Sequence, residues 1–401
     1  MTTRTSRLRV LHCSLSQVRG GAEEHMLTLL RGLDPGRFEL NLSCPPALLS
    51  HLPDLPAHVR LAPPPPRQAW RTAAGWRWRQ SLRRERIQIV HAHLSSASRA
   101  VMPWVALTPG AVLVETPHVR EDWRRGWKRS SWLDRAAGCG VAGYIAVSAA
   151  NAIYLRQDRR LPEHKIRLIR NGINLQALQQ AMAVQSDPRP ELGIPPSEVL
   201  LVCAARLEPQ KGHALLLEAL ARLRAAGGAS FRLVCLGEGS LHARLQQQAQ
   251  SLGLGAQVLF PGYCTHVAAW LAVADLFVLP SHYEGLPLAA MEAAAAGCVI
   301  VATAVDGTPE VVGDGRNGLL VPPGNAGALA QALGRLIADP QLRRQLGEHG
   351  RQRALREFDQ QRQIAATADY YAELAVMHGL APAATQSRLT PVRPVMGGRH
   401  G

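Results

Sequence analysis

Short apolar runs alternate with helical stretches along nearly the whole chain. Residues 199–205 read Val-Leu-Leu-Val-Cys-Ala-Ala, without a single polar position. A strand that is apolar on both faces is typical of a parallel sheet buried between two helix layers. The repeated alternation therefore predicts doubly wound α/β domains. The predicted strands cover 8–14, 38–43, 88–93, 111–116, 143–147 and 166–169 in the first half, and 199–204, 231–236, 257–260, 276–279, 298–303 and 318–321 in the second.

A break near 171–197 separates two such series. It contains Asn171-Gly172, the run Asp187-Pro-Arg-Pro190 and the pair Pro195-Pro196, all of which favour turns or linkers. We therefore predict a first Rossmann-like domain over 1–172 and a second over 173–358. The predicted helices include Ala22–Leu33, Trp132–Ala137, 211–226, 239–252, 286–296 and 325–338.

The last residues, 382–401, carry Pro, Gly, Arg and Thr without periodicity, and we expect them to be disordered. Ligands of open α/β sheets bind beyond the carboxyl ends of the strands. Two such domains are therefore expected to face each other across a cleft that holds the ligand site.

Composition narrows the class of protein. The chain has 401 residues, which suits two domains, and 47% of them are apolar, which suffices for two cores. Its seven cysteines are scattered and form no Cys-x-x-Cys pair, which disfavours a disulfide framework or a zinc site and indicates a reducing cytosol. Because no secretory signal and no run of about 18 apolar residues is evident, we expect a cytoplasmic protein, soluble or peripheral on a membrane.

Positive charge is concentrated in the first half. Residues 1–190 hold 28 Lys/Arg against 13 Asp/Glu, whereas residues 191–401 hold 17 of each, so the whole net charge of +15 lies in the first half. This asymmetry favours an acidic partner for the amino-terminal domain.

Tryptophan follows the same distribution. Six of the eight tryptophans fall in two arginine-rich segments, 67–86 and 120–135, and arginine beside tryptophan is typical of a surface that docks on an anionic membrane. We therefore expect an acceptor at the inner face of the cytoplasmic membrane, such as a lipid-linked saccharide or a lipopolysaccharide precursor. The alternative is a pair of solvated helices whose tryptophans pack inward. Nucleic acid is disfavoured as a partner, because it would leave the motifs of the second half without a purpose.

The most informative motif begins at Ser281. A buried strand is followed by Glu284-Gly285, and a helix is expected from about Leu286. Backbone N–H groups at a helix start suit phosphate oxygens. Glu292 comes eight residues after Glu284, which at about 100° per residue leaves the two within roughly 80° of each other, so both can border one cleft and accept hydrogen bonds from sugar hydroxyls. The alternative is that Glu284 caps the helix and Glu292 pairs with a surface cation.

A second motif follows the first strand of the second half. Arg206 and Lys211 flank a strand–loop–helix junction, in a chain that has only three lysines. Two cations at this spacing can grip a diphosphate through charge-assisted hydrogen bonds. A solvated loop is the alternative.

Three weaker signals lie at other strand ends. Gly237-Glu238-Gly239 can turn tightly into a helix, and Gly20-Gly21 lets the backbone approach a ligand closely. His91, His93 and His118 end predicted strands and are expected to face a cleft rather than a core. Metal binding by His91 and His93 is disfavoured, because no further ligands can be identified from the sequence.

Taken in order, these motifs resemble the retaining glycosyltransferases of family four, which have the GT-B fold. The resemblance covers roughly residues 8–378. It is carried by Gly20-Gly21-Ala22-Glu23, His118, Asn171-Gly172-Ile173, Arg206-x4-Lys211-Gly212, Gly237-Glu238-Gly239, Glu284-x7-Glu292 and Gly318-Leu-Leu-Val-Pro322.

The resemblance implies a division of labour. The carboxyl-terminal domain is expected to hold a nucleotide-sugar donor, and the amino-terminal domain a saccharide or lipid-linked acceptor. Implied catalytic residues are His118 near the transferred sugar, Arg206 and Lys211 on the diphosphate, and Glu284 on the sugar hydroxyls. Implied donor-binding residues are Gly20, Gly21, Gly237, Glu238, Gly285, Leu286, Pro287 and Glu292, the last on the ribose.

The resemblance also implies that no metal or other cofactor takes part, and that a last helix over about 359–377 returns to the first domain. Two departures from the family pattern are Asn174, where aspartate is common, and Asp306-Gly307, where a glycine pair is common. A sugar-nucleotide epimerase of the same fold and a non-catalytic sugar-nucleotide-binding subunit are the alternative functions.

Overall fold

A computed structural model describes residues 7–67, 72–120, 138–227 and 230–380. The chain divides into two compact units. One comprises the described parts of Met1–Val147, Ala152–Ile169 and Gln361–Gly401, and the other comprises Ser148–Asn151 and the described parts of Arg170–Gln360. Each unit is built on one parallel sheet, which confirms the predicted α/β class. The predicted helix Trp132–Ala137 and the predicted disordered tail 382–401 lie outside the described residues.

The sheet of the first unit has seven strands in the order β3-β2-β1-β4-β5-β6-β7. Its central strands are almost wholly buried, as their apolar runs predict. The two-residue strand β3 is absent from the sequence prediction because it is too short to show a pattern. The strands are β1 Leu8–Cys13, β2 Phe38–Ser43, β3 Arg60–Leu61, β4 Ile89–His93, β5 Val112–Thr116, β6 Gly143–Ala146 and β7 Ile166–Leu168.

The sheet of the second unit has six strands in the order β10-β9-β8-β11-β12-β13. All described pairings are parallel, so the carboxyl ends of the strands share one edge of the sheet. The strands are β8 Val199–Ala204, β9 Phe231–Leu236, β10 Val258–Gly262, β11 Leu276–Leu279, β12 Val299–Thr303 and β13 Gly318–Val321.

Among the described residues, helices connect most successive strands in both units. In chain order they are α1 Gly21–Gly32, α2 Pro46–Leu49, α3 Ala73–Arg84, α4 Ser95–Ala106, α5 Ala149–Gln157, α6 Leu175–Val184, α7 His213–Ala225, α8 His242–Ser251, α9 Val267–Val273, α10 Leu288–Ala296, α11 Thr308–Val311, α12 Ala326–Ala338, α13 Pro340–Glu357 and α14 Gln360–Met377. Among the described helices, none combines the length and apolarity that a bilayer crossing requires.

Each unit has its own apolar core. In the second unit, Leu216 and Leu220 of α7 and Leu329 and Leu333 of α12 are fully buried in a cluster that also includes residues of β8, β9 and β12. Burying one such side chain contributes about 1.5–3 kcal/mol. The two cores therefore give each sheet a rigid base beneath the loops at its carboxyl edge.

Helix α14 follows the second unit in sequence but completes the first. Ile364, Tyr371 and Leu374 are buried in one cluster with residues of β1, β2 and α1. The ring of Tyr371 meets that of Phe38 edge-on at 6.0 Å. A Cβ on Gly143 of β6 would overlap the Tyr370 hydroxyl, so the helix packs closely over this strand.

The arginine- and tryptophan-rich segment 67–86 does not behave as one surface. Trp78 of α3 is fully buried and donates a hydrogen bond to Ser43 Oγ at 3.0 Å, so the expectation that it is interfacial is wrong. Trp76 is 50% exposed, and the Arg79 guanidinium lies 4.8 Å from the centre of its ring. Two residues along a helix turn by about 200°, which puts the two tryptophans on opposite faces. Residues 68–71 and most of segment 120–135 lie outside the described residues.

Candidate functional site

A partly buried ion pair joins two loops at the carboxyl edge of the second sheet. Lys211 ends a short 3-10 turn after β8, and Glu284 lies between β11 and α10. Lys211 Nζ is 2.6 Å from Glu284 Oε1, and the side chains are 17% and 6% exposed. Apolar side chains in place of such a pair often stabilise a protein as well or better, so stability alone does not explain it.

Polar contacts fix Glu284 from two further sides. Ser281 Oγ donates to the same Glu284 Oε1 at 2.7 Å, and the Glu284 backbone N–H donates to Asp306 Oδ2 at 2.9 Å. Asp306 has φ +41°, a left-handed conformation that costs a non-glycine residue energy. The sequence motifs assign no role to Ser281 or Asp306, although Asp306 departs from the family pattern.

Glu284 does not cap the following helix. Helix α10 begins at Leu288 rather than near 286, because Pro287 at its N-cap has an extended backbone, and no side-chain hydrogen bond caps it. The angular argument that relates Glu284 to Glu292 therefore fails, since Glu284 precedes the helix. Glu292 lies one turn into α10 and is half-buried. Gly285, Leu286 and Pro287, between the two carboxylates, are buried.

Two glycines allow close approach of neighbouring loops. Gly212 has φ +67°, and a Cβ there would overlap the carbonyl oxygen of Pro280 at the end of β11. Gly237 has φ +143°, and a Cβ there would overlap the carbonyl oxygen of Ala205 after β8. Because β9, β8 and β11 are neighbours in the sheet, these contacts gather three strand ends into one surface.

Arg206 and Glu238 stand at the exposed side of this surface. Both are exposed, and Arg206 Nη2 makes a long hydrogen bond of 3.5 Å to Gln210 Oε1. Gln210 in turn donates to the carbonyl oxygen of Tyr283 at 2.9 Å, which links the loop after β8 to the loop after β11. The structure thus brings together Arg206, Lys211, Gly237, Glu238 and Glu284, with the Arg206 head open to a ligand.

The first unit holds a second polar group, here termed the histidine cluster, which is composed of His12, His25, His91, His93 and His118. All five side chains are buried. The expectation that His91 and His93 face a cleft is therefore wrong, and His118 is only 6% exposed.

Gly20 and Gly21 lie at the start of α1, where Gly20 is the N-cap and Gly21 the first helical residue. A Cβ on Gly21 would meet nothing within 4 Å.

Hydrogen bonds link the members of the cluster. His93 Nε2 lies 3.0 Å from His12 Nδ1, and His93 Nδ1 lies 3.4 Å from His118 Nε2. His91 instead pairs with the Tyr371 hydroxyl at 2.6 Å and with Thr116 Oγ1 at 2.7 Å. Burial lowers the pKa of His12 to about 3 and holds those of His91, His93 and His118 well below their usual range. All four are therefore neutral imidazoles at pH 7.

The spacing of the cluster also suits a metal ion. Two overlapping sets, His12–His91–His93 and His25–His93–His118, have ligand nitrogens within 4.8 Å of one another. Neither set includes a carboxylate to offset a divalent charge in this buried setting. Hydrogen bonds already account for the close approach of His93 to His12 and to His118, and both nitrogens of His91 bond Tyr371 and Thr116, so the geometry does not require an ion.

Sequence reasoning missed His12 and His25 as members of this cluster. His12 lies in the apolar strand β1, and its neighbour across the sheet, His91, belongs to β4, which comes three strands later in the sequence. The one signal in the sequence is that His12 is a polar residue within the apolar run of β1.

Two parallel-sheet units with polar loops at their carboxyl edges define a protein of the GT-B architecture. The structure of Anabaena Alr3699/HepE in complex with UDP-glucose has the same fold, with a TM-score of 0.77 at 21% identity over 92% of this chain and 100% of that one. Residues 184–353 match the family described as Glycosyl transferases group 1, and residues 19–177 match Glycosyltransferase Family 4. The chain therefore belongs to the group 1 glycosyltransferases.

Curated relatives support this assignment. The alpha-maltose-1-phosphate synthase of Mycobacterium tuberculosis is 30% identical over 316 residues, which are 71% of this chain and 81% of that protein. The lipopolysaccharide core biosynthesis glycosyltransferase LpsE of Rhizobium meliloti is 32% identical over 186 residues, 46% of this chain and 52% of the relative. The chain also matches two further glycosyltransferases, but it spans only 65% and 48% of their length.

Proposed function

We propose that this chain is a retaining glycosyltransferase that moves a sugar from a nucleoside-diphosphate-sugar to a saccharide or lipid-linked acceptor without a metal. The observation that carries the proposal is the Lys211–Glu284 pair, 2.6 Å long, at the edge where β8 and β11 end. Arg206 adds a second, exposed cation at the same edge. The two cations suit the diphosphate of such a donor, and the neighbouring carboxylate suits the hydroxyl groups of its sugar.

Lys211 can serve Glu284 and a diphosphate together. An ammonium group has three N–H donors, and the contact with Glu284 uses one of them. The others are available to phosphate oxygens, each charge-assisted bond contributing about 1.5–3 kcal/mol. As the nucleoside diphosphate departs, Lys211 and Arg206 stabilise the negative charge that develops on it, which is the role a metal ion plays in other transferases.

Glu284 is suited to hold the sugar rather than to attack it. Its Oε1 receives the hydrogen bonds from Lys211 and Ser281. Within the part of the chain that the structure describes, Oε2 has no such bond and is free to accept one from a sugar hydroxyl. A carboxylate neutralised in this way is a weak nucleophile, so we propose same-face attack by the acceptor within an ion pair. His118 contacts the transferred sugar in this proposal, and Glu292 the ribose.

Donor binding is tested by thermal unfolding with UDP, GDP, ADP and their sugars. A donor at about 100 times its Kd adds about 2.7 kcal/mol of stability, which a shift in Tm reports. We expect one nucleotide and its sugar to stabilise the chain. An unchanged Tm with every nucleotide would refute the proposal, and NMR of the product would test retention through the configuration of the new glycosidic bond.

We propose further that the acceptor is presented at an anionic membrane surface. The charge excess of residues 1–190 and the exposed Trp76–Arg79 pair support this, as does the similarity to a lipopolysaccharide core enzyme. Sedimentation with vesicles that contain anionic lipid, at low salt, is expected to retain the wild type. Trp76→Ser is expected to bind less, while neutral vesicles serve as the control. No retention on anionic vesicles would exclude a membrane-bound acceptor surface.

A further inference from the structure

We propose that His93 is a positioning residue that fixes the tautomer of His118. In this arrangement His12 donates to His93, His93 donates to His118, and His118 carries its proton on Nδ1. The catalytic consequence rests on the proposed role of His118 in sugar transfer, whereas the tautomer itself does not.

The three imidazoles form one unbranched chain. His93 contacts His12 through Nε2 at 3.0 Å and His118 through Nδ1 at 3.4 Å, so its two nitrogens are both engaged. The rings of His93 and His118 are nearly parallel, 28° apart, with centroids separated by 5.6 Å. The second contact is long for an N–H···N bond and is the weaker of the two.

Neutral imidazole has one N–H and one lone pair, so a chain of three has only two arrangements. Either every N–H points from His12 toward His118, or every N–H points the other way. Depressed pKa values keep all three rings in the neutral form at pH 7. The choice of direction at one end therefore determines the tautomer at the other.

His12 selects the direction. Its Nε2 is fully buried and has no hydrogen-bond partner among the described residues. Buried N–H groups without an acceptor are rarer in proteins than acceptors without a donor. We therefore place the lone pair on His12 Nε2 and the proton on His12 Nδ1, which faces His93.

The setting of His118 shows that its orientation is fixed. Its φ of +60° is left-handed, which a non-glycine residue adopts only when its surroundings impose it. The ring also meets His25 edge-on, with 4.8 Å between centroids and 85° between planes. With Nε2 occupied by the bond from His93, the remaining nitrogen, Nδ1, presents an N–H. His118 thus acts as a fixed hydrogen-bond donor to a sugar oxygen, not as a base.

Nitrogen-15 NMR of the full-length chain, labelled at histidine and free of substrate, measures this tautomer directly. The His118 signals are assigned by their loss in His118→Gln. We expect a protonated Nδ1 and an unprotonated Nε2. His93→Leu should remove this preference and lower kcat on the order of tenfold to 100-fold, whereas His93→Gln, whose amide can both accept and donate, should restore part of both.

His91→Gln is the matched control. His91 lies two residues away in the same strand and is equally buried, but it bonds Tyr371 and Thr116 instead of His118. We expect it to leave the His118 tautomer unchanged. Thermal unfolding confirms that each variant is folded.

Three results would overturn the inference. They are a proton on Nε2 of His118 in the wild type, an unchanged His118 tautomer in folded His93→Leu, and a stoichiometric metal ion in the purified protein. A metal ion held in place of the His12–His93 or the His93–His118 hydrogen bond would need a lone pair on both nitrogens. The hydrogen bond instead places a proton on one of them. Full transfer activity in His118→Gln would instead refute the role of His118 and leave the tautomer result standing.

Discussion

At the scale of single residues, the proposed role of Lys211 predicts that its ion pair with Glu284 couples stability to activity. Lys211→Met leaves the Glu284 carboxylate buried without its cation, and breaking such a pair costs about 3–5 kcal/mol. Loss of the cation from the diphosphate should also lower kcat/KM by about 100- to 1,000-fold. Urea unfolding and donor kinetics measure the two effects, with Arg335→Ala, an exposed cation on α12, as control.

The double variant Lys211→Met/Glu284→Gln separates these effects. Removing both charges should recover much of the lost stability, because no uncompensated charge remains buried. Activity should stay low. Wild-type turnover in either variant would remove Lys211 from the mechanism, and unchanged stability in the single variant would contradict the burial of the pair.

Asp306 offers a second prediction at this scale. Asp306→Ala keeps the left-handed backbone but loses the bond to the Glu284 N–H, whereas Asp306→Gly loses the bond and relieves the strain, which is worth about 1–3 kcal/mol. Asp306→Gly should therefore be the more stable of the two in urea unfolding. Equal stability would show that the backbone at 306 is not strained.

At the scale of elements, a buried hydrogen bond between Tyr371 and His91 joins helix α14 to the first sheet, in addition to the more exposed Arg167–Glu373 ion pair. Tyr371→Phe removes the hydroxyl that meets His91 Nδ1 at 2.6 Å and leaves that buried nitrogen unpaired. We expect a loss of about 1–3 kcal/mol in urea unfolding. Tyr370→Phe is the control, because its hydroxyl makes only a 3.4 Å bond to the Lys165 carbonyl. If the two variants lost the same stability, the His91 bond would have no special weight.

The sequence was a good guide to elements that repeat a local pattern. Strands such as β8 show apolar residues on both faces, so their positions could be predicted. The start of α10 was misplaced because Pro287 serves as its N-cap rather than its first turn. The helical spacing of Trp76 and Trp78 is enough to predict that they lie on opposite faces. The composition of segment 67–86, taken alone, does not show this.

Contacts between distant segments account for most of what could not be predicted. Nothing local to His12 indicates that β1 lies beside β4, yet that pairing places His12 opposite His91 and assembles the histidine cluster. In the same way, the spacing of Lys211 and Glu284 could suggest one ligand, but not a direct bond between them. Their proposed roles stay predictions for the experiments above.

At the scale of the whole molecule, buried neutral histidines make the fold sensitive to acid. Burial lowers the pKa of His12 to about 3 and that of His213 to about 4, below an unfolded value of about 6.5. As pH falls below about 6.5, the unfolded chain binds protons that the folded chain does not, so stability falls until the folded pKa is reached.

Each such histidine should cost about 2 kcal/mol at pH 5 relative to pH 7.5. Urea midpoints at pH 7.5, 6.0 and 5.0 measure the loss. His213→Gln removes one of these buried histidines and should therefore lessen the pH dependence of stability. His349→Gln, a substitution of the same kind at an exposed position of the same unit, is the matched control. A stability independent of pH over this range would contradict the neutral state of these residues.

The path of helix α14 has a consequence for biosynthesis. A ribosome delivers the strands of the first sheet early, but the helix that covers them with Ile364, Tyr371 and Leu374 comes only after the whole second unit. The second unit can fold as soon as it has left the ribosome, whereas the first sheet keeps part of its apolar face uncovered until α14 has been made. During translation the order of completion is thus the reverse of the order of synthesis, and the waiting sheet is the segment on which a chaperone would act.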